Sequence, residues 1–121
     1  MPESKPKDLI FKIVPSPEWD LVGSDYEGSA HDLSDGFLHF STLTQLPETL
    51  QLYYKGQRDL VLIAVDPVPL SAKLKYEFSA SRGTSFPHLY GPLPRSAVLW
   101  VRPLSLDMEG RHVLPSFGPN L

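Results

Sequence analysis

One group of candidate functional residues lies in the segment His39-Phe40-Ser41-Thr42. The apolar residues around its start predict a strand, and Thr42 with Gln45 has the spacing of a capping box at the start of a helix. The hydroxyls and unsatisfied backbone N–H groups of such a helix start can bind an anion, so a phosphate or pyrophosphate would fit there. The alternative is structural: His39 is a hydrogen-bonded core histidine, and Ser41 and Thr42 are ordinary helix caps.

A second group lies in the segment Phe86-Pro87-His88-Leu89-Tyr90-Gly91-Pro92. It combines a histidine with two aromatic side chains and a glycine, and its prolines restrict the backbone. A stiff loop holds functional side chains at a low cost in conformational entropy. The pattern favours a binding site that contains Phe86, His88 and Tyr90. The structural alternative is a packed loop whose aromatic rings close one end of the core.

A carboxylate and a metal site are the remaining possibilities for chemistry. Strand alternation places Glu77 on the face opposite the aromatic residues beside it, where it is either the acid of a site or a solvated surface group. His39 and His88 with Asp35 or Glu77 would give the two-histidine, one-carboxylate set of some metal sites. Nothing in the spacing requires such a set, and we predict no metal.

The composition limits what these groups can do. The chain has 121 residues, which fits one domain that buries roughly two thirds of its unfolded surface. Fourteen acidic and eleven basic residues give a net charge of −3 without a basic stripe, so we do not expect duplex DNA as a partner. The absence of cysteine excludes disulfides, thiolate metal sites and cysteine nucleophiles. Thirteen prolines argue against long helices.

No segment has the pattern of a signal peptide, and no run reaches the ~20 apolar residues of a membrane span. We therefore expect a soluble cytoplasmic protein that does not bind a membrane.

Hydrophobic patterning predicts the elements that must position the candidate residues. The run 60–65 is apolar throughout, which is typical of a strand buried on both faces, whereas 74–78 alternates like a half-buried strand. The polar stretches 23–36 and 79–94 are predicted to be long loops, and His31 and His112 are predicted to be surface groups. The predicted strands cover residues 9–14, 37–40, 60–65, 74–78 and 97–101, and the predicted helices lie within residues 16–22 and 42–55.

The same segments together resemble a bacterial family, the domain of unknown function 952. The resemblance runs from about residue 9 to 104 and depends mainly on the Asp35-Gly36-Phe37-Leu38-His39 segment with Ser41, combined with the FPHLYG segment at 86–91. It implies an ADP-ribosyltransferase-like α+β fold, which is a small split β-sandwich of antiparallel sheets with two or three short helices. The segment Leu38-His39-Phe40-Ser41 also resembles the helix-capping segment of the RNA 2′-phosphotransferases.

The resemblance implies a site as well as a fold. In this superfamily NAD lies in a cleft between the two sheets, where an acid holds a ribose hydroxyl and stabilises the positive charge that develops nearby. By this resemblance the candidate catalytic residues are His39, which would orient ribose or phosphate, His88, and Glu77 as the acid. The candidate cofactor-binding residues are Ser41, Thr42, Gln45, Phe86 and Tyr90.

We expect residues 1–8 to form a flexible N-terminal tail and residues 9–106 a single ADP-ribosyltransferase-like domain. Residues 107–121 are expected to form a loosely ordered C-terminal tail. The domain is expected to bind NAD, ADP-ribose or a related phosphorylated nucleotide as a ligand or substrate, with no built-in cofactor. As an enzyme it would transfer an ADP-ribosyl or phosphoryl group to an unknown acceptor. The alternative is a non-enzymatic module that uses the same cleft to bind a ligand or a partner.

Overall fold

The computed structural model describes residues 9–115, which form eight strands, three short α-helices and three 3₁₀ turns. The strands are β1 (Ile10–Pro15), β2 (Leu38–His39), β3 (Ser41–Thr42), β4 (Leu60–Val65), β5 (Leu74–Ser79), β6 (Thr84–Leu89), β7 (Val98–Leu106) and β8 (His112–Val113). The helices are α1 (Ser16–Asp20), α2 (Ala30–Asp35) and α3 (Leu46–Tyr53), and the 3₁₀ turns are Leu43–Gln45, Val68–Leu70 and Arg95–Ala97. The predicted α+β class with antiparallel sheets and few short helices is confirmed.

The strands form two sheets. The larger sheet has the order β3-β1-β4-β7-β8 and the smaller sheet the order β2-β6-β5. All six residues of β1 pair with β4, but β3 pairs only with Ile10 and Phe11. In the described part of the chain, the edge of β1 from Lys12 to Pro15 therefore borders a cleft instead of a third strand.

Both faces of the larger sheet are covered, which explains the unbroken apolar run of β4. Successive side chains of a strand point to opposite faces, so β1 and β4 contribute to two separate parts of the core. The part between the sheets includes Ile10, Val14, Ile63, Val65, Leu38 and Leu89. The part under α3 includes Phe11, Ile13, Leu62, Ala64, Leu46 and Leu50.

The prediction that residues 23–36 form a loop is wrong for its second half, which forms α2. The N–H of Asp32 donates to Ser29 Oγ at 3.1 Å, and the N–H of Ser29 donates to Asp32 Oδ2 at 2.9 Å, so the two residues form a capping box. Gly36 ends the helix in the left-handed conformation with φ 86°. Asp32 is also buried, with 2% of its surface exposed, although its segment is polar.

The prediction that residues 79–94 form one loop is also wrong, because residues 84–89 form the central strand of the smaller sheet. Pro87 made this segment look irregular, since a proline lacks the N–H that a central strand normally donates. The carbonyl of Pro87 still accepts a hydrogen bond from the N–H of Phe40 at 3.0 Å. The strand pairs His88 with His39 and Leu89 with Leu38.

The ordered chain extends further than the predicted last strand. Strand β7 continues to Leu106, and Ser105 and Leu106 pair with β8 in a region where the sequence predicts only a tail. The predicted N-terminal tail, residues 1–8, and residues 116–121 lie outside the described residues. No helix within residues 9–115 is long and apolar enough to cross a membrane.

Candidate functional site

The candidate site is a cleft of about 820 Å³ that is lined by residues of both sheets, α2 and α3. This volume lies within the range of pockets that hold small-molecule ligands. Of the predicted site residues, four line the cleft: His39, Ser41, Phe86 and His88. The edge of β1 that the two-residue strand β3 does not cover forms part of its wall.

A buried ion pair lies in the wall of the cleft. Lys12 shares a strand face with Ile10 and Val14, and this places it between the sheets with 6% of its surface exposed. Its Nζ lies 2.9 Å from Asp32 Oδ2 and donates to the backbone oxygen of His39 at 2.9 Å. Burial lowers the pKa of Lys12, while the nearby carboxylate opposes that shift.

Asp32 holds His39 in one orientation. Its Oδ1 accepts hydrogen bonds from the His39 N–H at 3.1 Å and from His39 Nδ1 at 2.6 Å. Burial alone would raise the pKa of Asp32, but the hydrogen bond from His39 and the Lys12 ammonium outweigh burial and hold that pKa well below its usual value. The other ring nitrogen of His39, Nε2, lies 2.9 Å from Asp35 Oδ2.

His88 has a similar carboxylate partner. Its Nδ1 lies 2.8 Å from Glu77 Oε1, and the Tyr90 hydroxyl donates to the same oxygen at 2.7 Å. The hydrogen bonds from Tyr90 and His88 lower the pKa of Glu77, and the carboxylate in turn raises the pKa of the Tyr90 hydroxyl. Phe37 stacks on the His88 ring with centroids 4.1 Å apart. The structure thus brings the three candidate catalytic residues together: the rings of His39 and His88 are 5.5 Å apart, and Glu77 contacts His88.

Arg82 joins the smaller sheet to α3. It lies in the turn between β5 and β6, where its Nε donates to Glu48 at 2.7 Å and its Nη2 to Thr49 Oγ1 at 3.0 Å. Its guanidinium lies 4.5 Å from the centre of the Phe86 ring. Ser41 Oγ is 3.1 Å from Thr49 Oγ1, so these side chains form a group of hydroxyls next to a guanidinium.

Three of the predicted cofactor-binding residues, Thr42, Gln45 and Tyr90, do not line the cleft, and neither does the candidate acid Glu77. The N–H of Thr42 donates to Gln45 Oε1 at 2.9 Å, which forms the predicted capping box at the start of the turn before α3. Gln45 Nε2 also donates to the carbonyl of Ser85 at 2.7 Å. These bonds hold β3 and the turn before α3 against β6, and they give the Gln45 side chain a structural role. The Thr42 hydroxyl lies 3.3 Å from that of Thr44.

Sequence reasoning missed Lys12, Asp32, Phe37 and Arg82. A signal was available for Lys12, because a lysine that interrupts the apolar run of a strand buried on both faces must have a partner. The Ser29-to-Asp32 spacing was a signal for α2. Neither pattern shows that Lys12 and Asp32 meet, since they are distant in the sequence and pair only in the folded protein.

A possible metal set consists of His31, Asp35 and His39. His31 Nε2 and His39 Nε2 lie 3.5 and 2.9 Å from the same Asp35 oxygen. However, the two imidazole rings stack with centroids 4.5 Å apart and planes 22° apart. An imidazole binds a metal in the plane of its ring, and two stacked rings do not meet that requirement for one ion. We therefore propose no metal site at this cluster.

Comparisons with known proteins identify the family. The crystal structure of protein CC0527 from Caulobacter crescentus is 45% identical, has a TM-score of 0.82, and the match covers 88% of this chain and 94% of that chain. The solution NMR structure of CC0527 has a TM-score of 0.77 at 44% identity, with 94% and 97% covered. A search of curated proteins finds no match. The family model described as "Protein of unknown function (DUF952)" matches residues 13–101. The chain therefore belongs to the DUF952 family.

Proposed function

We propose that the cleft binds a phosphorylated nucleotide such as NAD or ADP-ribose. The observation that carries this proposal is the convergence of aromatic rings, imidazoles and a guanidinium in one cleft of about 820 Å³. A nucleotide needs all three kinds of contact: a flat surface for its base, hydrogen-bonding groups for its ribose and cationic donors for its phosphates. The proposal includes an ADP-ribosyltransferase-like fold. The two small antiparallel sheets that flank the cleft support this part.

The groups in the cleft divide by chemistry. Arg82 can donate to phosphate oxygens, the imidazoles of His39 and His88 can exchange hydrogen bonds with the ligand, and Ser41 and Thr49 offer hydroxyls to a ribose. The aromatic rings that can stack on a base are Phe37, Tyr53 and Phe86. Lys12 is already paired with Asp32, so in this proposal it supports His39 and does not contact the ligand.

Catalysis is the second part of the proposal. As an enzyme the domain would transfer an ADP-ribosyl or phosphoryl group, with His39, His88 and Glu77 as the catalytic group. Their contacts support this part: Asp32 and Glu77, whose pKa values are both lowered, each bond to one of the two histidines, and carboxylates with shifted pKa values beside histidines are typical of catalytic sites. A non-enzymatic binding module on the same cleft is the alternative outcome.

A titration followed by ¹H–¹⁵N NMR tests the binding. Adding NAD or ADP-ribose to millimolar concentration should shift the amide signals of residues 37–42 and 84–90, whereas adenosine, which lacks phosphate, should shift them less. Arg82→Gln should weaken the shifts, and Arg102→Gln, on the larger sheet away from the cleft lining, serves as the control. Ligand at millimolar concentration that leaves these signals unchanged would contradict the proposal.

Release of nicotinamide from NAD distinguishes catalysis from nucleotide binding alone. Measured by chromatography, its release at a rate that depends on His39 and Glu77 would support ADP-ribosyl transfer. Binding of NAD without release of nicotinamide would contradict ADP-ribosyl transfer and leave phosphoryl transfer or a non-enzymatic binding module.

A further inference from the structure

His39 and His88 are held in the same way by different elements. In both rings Nδ1 lies beside a carboxylate, Asp32 Oδ1 at 2.6 Å and Glu77 Oε1 at 2.8 Å. A carboxylate can only accept, so Nδ1 must carry the proton in each ring. This leaves Nε2 of each ring to exchange a proton with a ligand, as in a catalytic triad. In His39 that nitrogen also lies 2.9 Å from Oδ2 of Asp35, an exposed side chain.

The two rings also have a fixed separation. His39 and His88 are directly paired residues of β2 and β6, and their ring centroids are 5.5 Å apart with planes at 69°. Phe37 contacts both rings, with its centroid 4.1 Å from His88 and 4.7 Å from His39. Both histidines line the same cleft. The fold therefore presents two oriented imidazoles to one ligand.

We infer that His39 and His88 act as a general acid and a general base in the hydrolysis of a nucleotide phosphodiester. This inference rests on the proposed binding of a phosphorylated nucleotide and names the reaction of the same site. Displacement at phosphorus requires one proton to be removed from the attacking oxygen and one to be given to the leaving oxygen. Two imidazoles several ångströms apart on one cleft wall suit that requirement.

The roles follow from the hydrogen-bond partners. His39 faces a carboxylate oxygen at each ring nitrogen, Asp32 at Nδ1 and Asp35 at Nε2, and only an imidazolium can donate to both. His39 is therefore the acid. His88 has a carboxylate only at Nδ1 among the contacts of the described residues, so its Nε2 can accept a proton, and His88 is the base.

The step balances in protons and bonds. His88 Nε2 takes a proton from water as the water oxygen bonds to phosphorus, and the bond between phosphorus and the leaving oxygen breaks. The leaving oxygen replaces the exposed Asp35 carboxylate at His39 Nε2. His39 Nε2 gives its proton to that oxygen, which leaves as an alcohol. The other product is a nucleoside monophosphate, and one proton passes from His88 to His39 through solvent to restore the starting state. Asp32 and Glu77 are positioning residues in this step.

The contacts of the carboxylates favour this reaction over cleavage of the nicotinamide glycosidic bond. That cleavage needs a carboxylate beside the ribose, and its leaving group needs no proton. Here Asp32 and Glu77 each bond to a histidine. The two histidines are thus oriented for proton transfer. A leaving alkoxide requires a proton, whereas nicotinamide does not.

Two substrates with different leaving groups test the assignment. Thymidine 5′-(p-nitrophenyl phosphate) releases a phenolate that needs no acid, whereas the dinucleotide TpT releases an alkoxide that does. His88→Ala should lower the rate about 10²–10⁴-fold on both substrates. His39→Ala should lower the rate by a similar factor on TpT and by a much smaller factor on the p-nitrophenyl ester. Equal losses on both substrates for His39→Ala would overturn its role as the acid.

Controls separate this inference from folding and from nucleotide binding. His112→Gln removes a histidine outside the cleft and should keep the wild-type rate. The glutamine variants of His39 and His88 are measured beside the alanine variants, and thermal melts confirm that each is folded. Nucleotide binding without hydrolysis of either ester would overturn the acid–base inference and leave the proposed function intact. An absence of binding would overturn both.

Discussion

Asp32 accepts four hydrogen bonds from three neighbours: the N–H of Ser29, the N–H and Nδ1 of His39, and Nζ of Lys12. A buried carboxylate is stable only while such donors remain, because its desolvation has to be offset. The same donors join the start of α2, strand β2 and strand β1. A single side chain thus fixes both the orientation of His39 and the position of the elements around it.

Removal of one partner of the ion pair should therefore be costly. Lys12→Met leaves the buried Asp32 carboxylate without the Lys12 ammonium, and we expect the free energy of unfolding to fall by about 3–5 kcal/mol. The double variant Lys12→Met/Asp32→Asn should lose less than the sum of the single losses, since it removes both charges. Urea denaturation measures these values. Lys55→Met, at an exposed lysine, is the control, and a Lys12→Met variant as stable as this control would refute the prediction.

The pH dependence of stability should also depend on Asp32. Its pKa in the folded protein is held below the usual value of 3.8, so in acid the unfolded chain binds more protons than the folded protein. The free energy of unfolding should therefore decrease as the pH falls below about 4, until the pH passes the folded-state pKa. Asp32→Asn should show a shallower decrease in unfolding measured between pH 2 and 7. Asp25→Asn, at an exposed residue, should keep the wild-type slope, and identical slopes for all three proteins would contradict the assignment.

Among the elements, α2 depends on the close approach of Gly28 to its neighbours. Gly28 has φ 118°, and a Cβ there would lie 2.7 Å from Leu38 Cδ2 and 2.9 Å from Asp32 Cβ. We expect Gly28→Ala to destabilise the protein by at least about 1–3 kcal/mol, because it adds both overpacking and backbone strain. Gly23→Ala is the matched control, since a Cβ at Gly23 meets no atom within 4 Å. Thermal unfolding of both variants gives the comparison, and equal melting temperatures would rule out this role for Gly28.

The sequence predicts the elements whose burial follows a simple period, and it fails for those that depend on distant partners. The apolar run of β4 and the alternation of β5 are local patterns, and both strands form over the predicted residues. The faces of β5 differ from the prediction, because Tyr76 and Phe78 are 51% and 70% exposed and Glu77 contacts His88. Helix α2 buries only Asp32 and leaves Leu33 exposed, so it has no apolar period. Strand β6 contains Pro87 and pairs with β2, which lies far away in the sequence.

The same limit applies to the site. His39 and His88 are recognisable by residue type and context, and the register of β2 and β6 places them side by side. The contributions of Lys12 and Arg82 are not recognisable locally, because each depends on a partner on another element. Charged side chains are usually exposed, so residue type alone assigns Arg82 to the surface. The apolar strand around Lys12 indicates that this lysine has a partner, but it does not identify Asp32.

For the whole molecule, the central fact is that the larger sheet separates two parts of the core. Both parts contribute residues to the cleft, but only the part between the sheets contains chain neighbours of His39 and His88. Leu89 lies between the sheets and is the neighbour of His88, whereas Leu62 lies on the opposite face under α3. Both side chains are almost completely buried. We therefore expect that a substitution in the part of the core under α3 lowers the stability of the protein without changing the geometry of the site.

Leu62→Ala and Leu89→Ala should each lower the free energy of unfolding by about 2–5 kcal/mol, because each leaves a cavity. They should differ in their effect on the cleft. Leu89 pairs with Leu38 across the smaller sheet, so its loss should shift the amide signals of residues 37–40 and 86–90, while Leu62→Ala should shift those of α3 and leave the cleft signals in place. Chemical denaturation and ¹H–¹⁵N NMR of the two variants measure both effects. If Leu62→Ala moved the cleft signals as much as Leu89→Ala, the two parts of the core would not act independently, and the fixed separation of His39 and His88 would depend on the whole sheet.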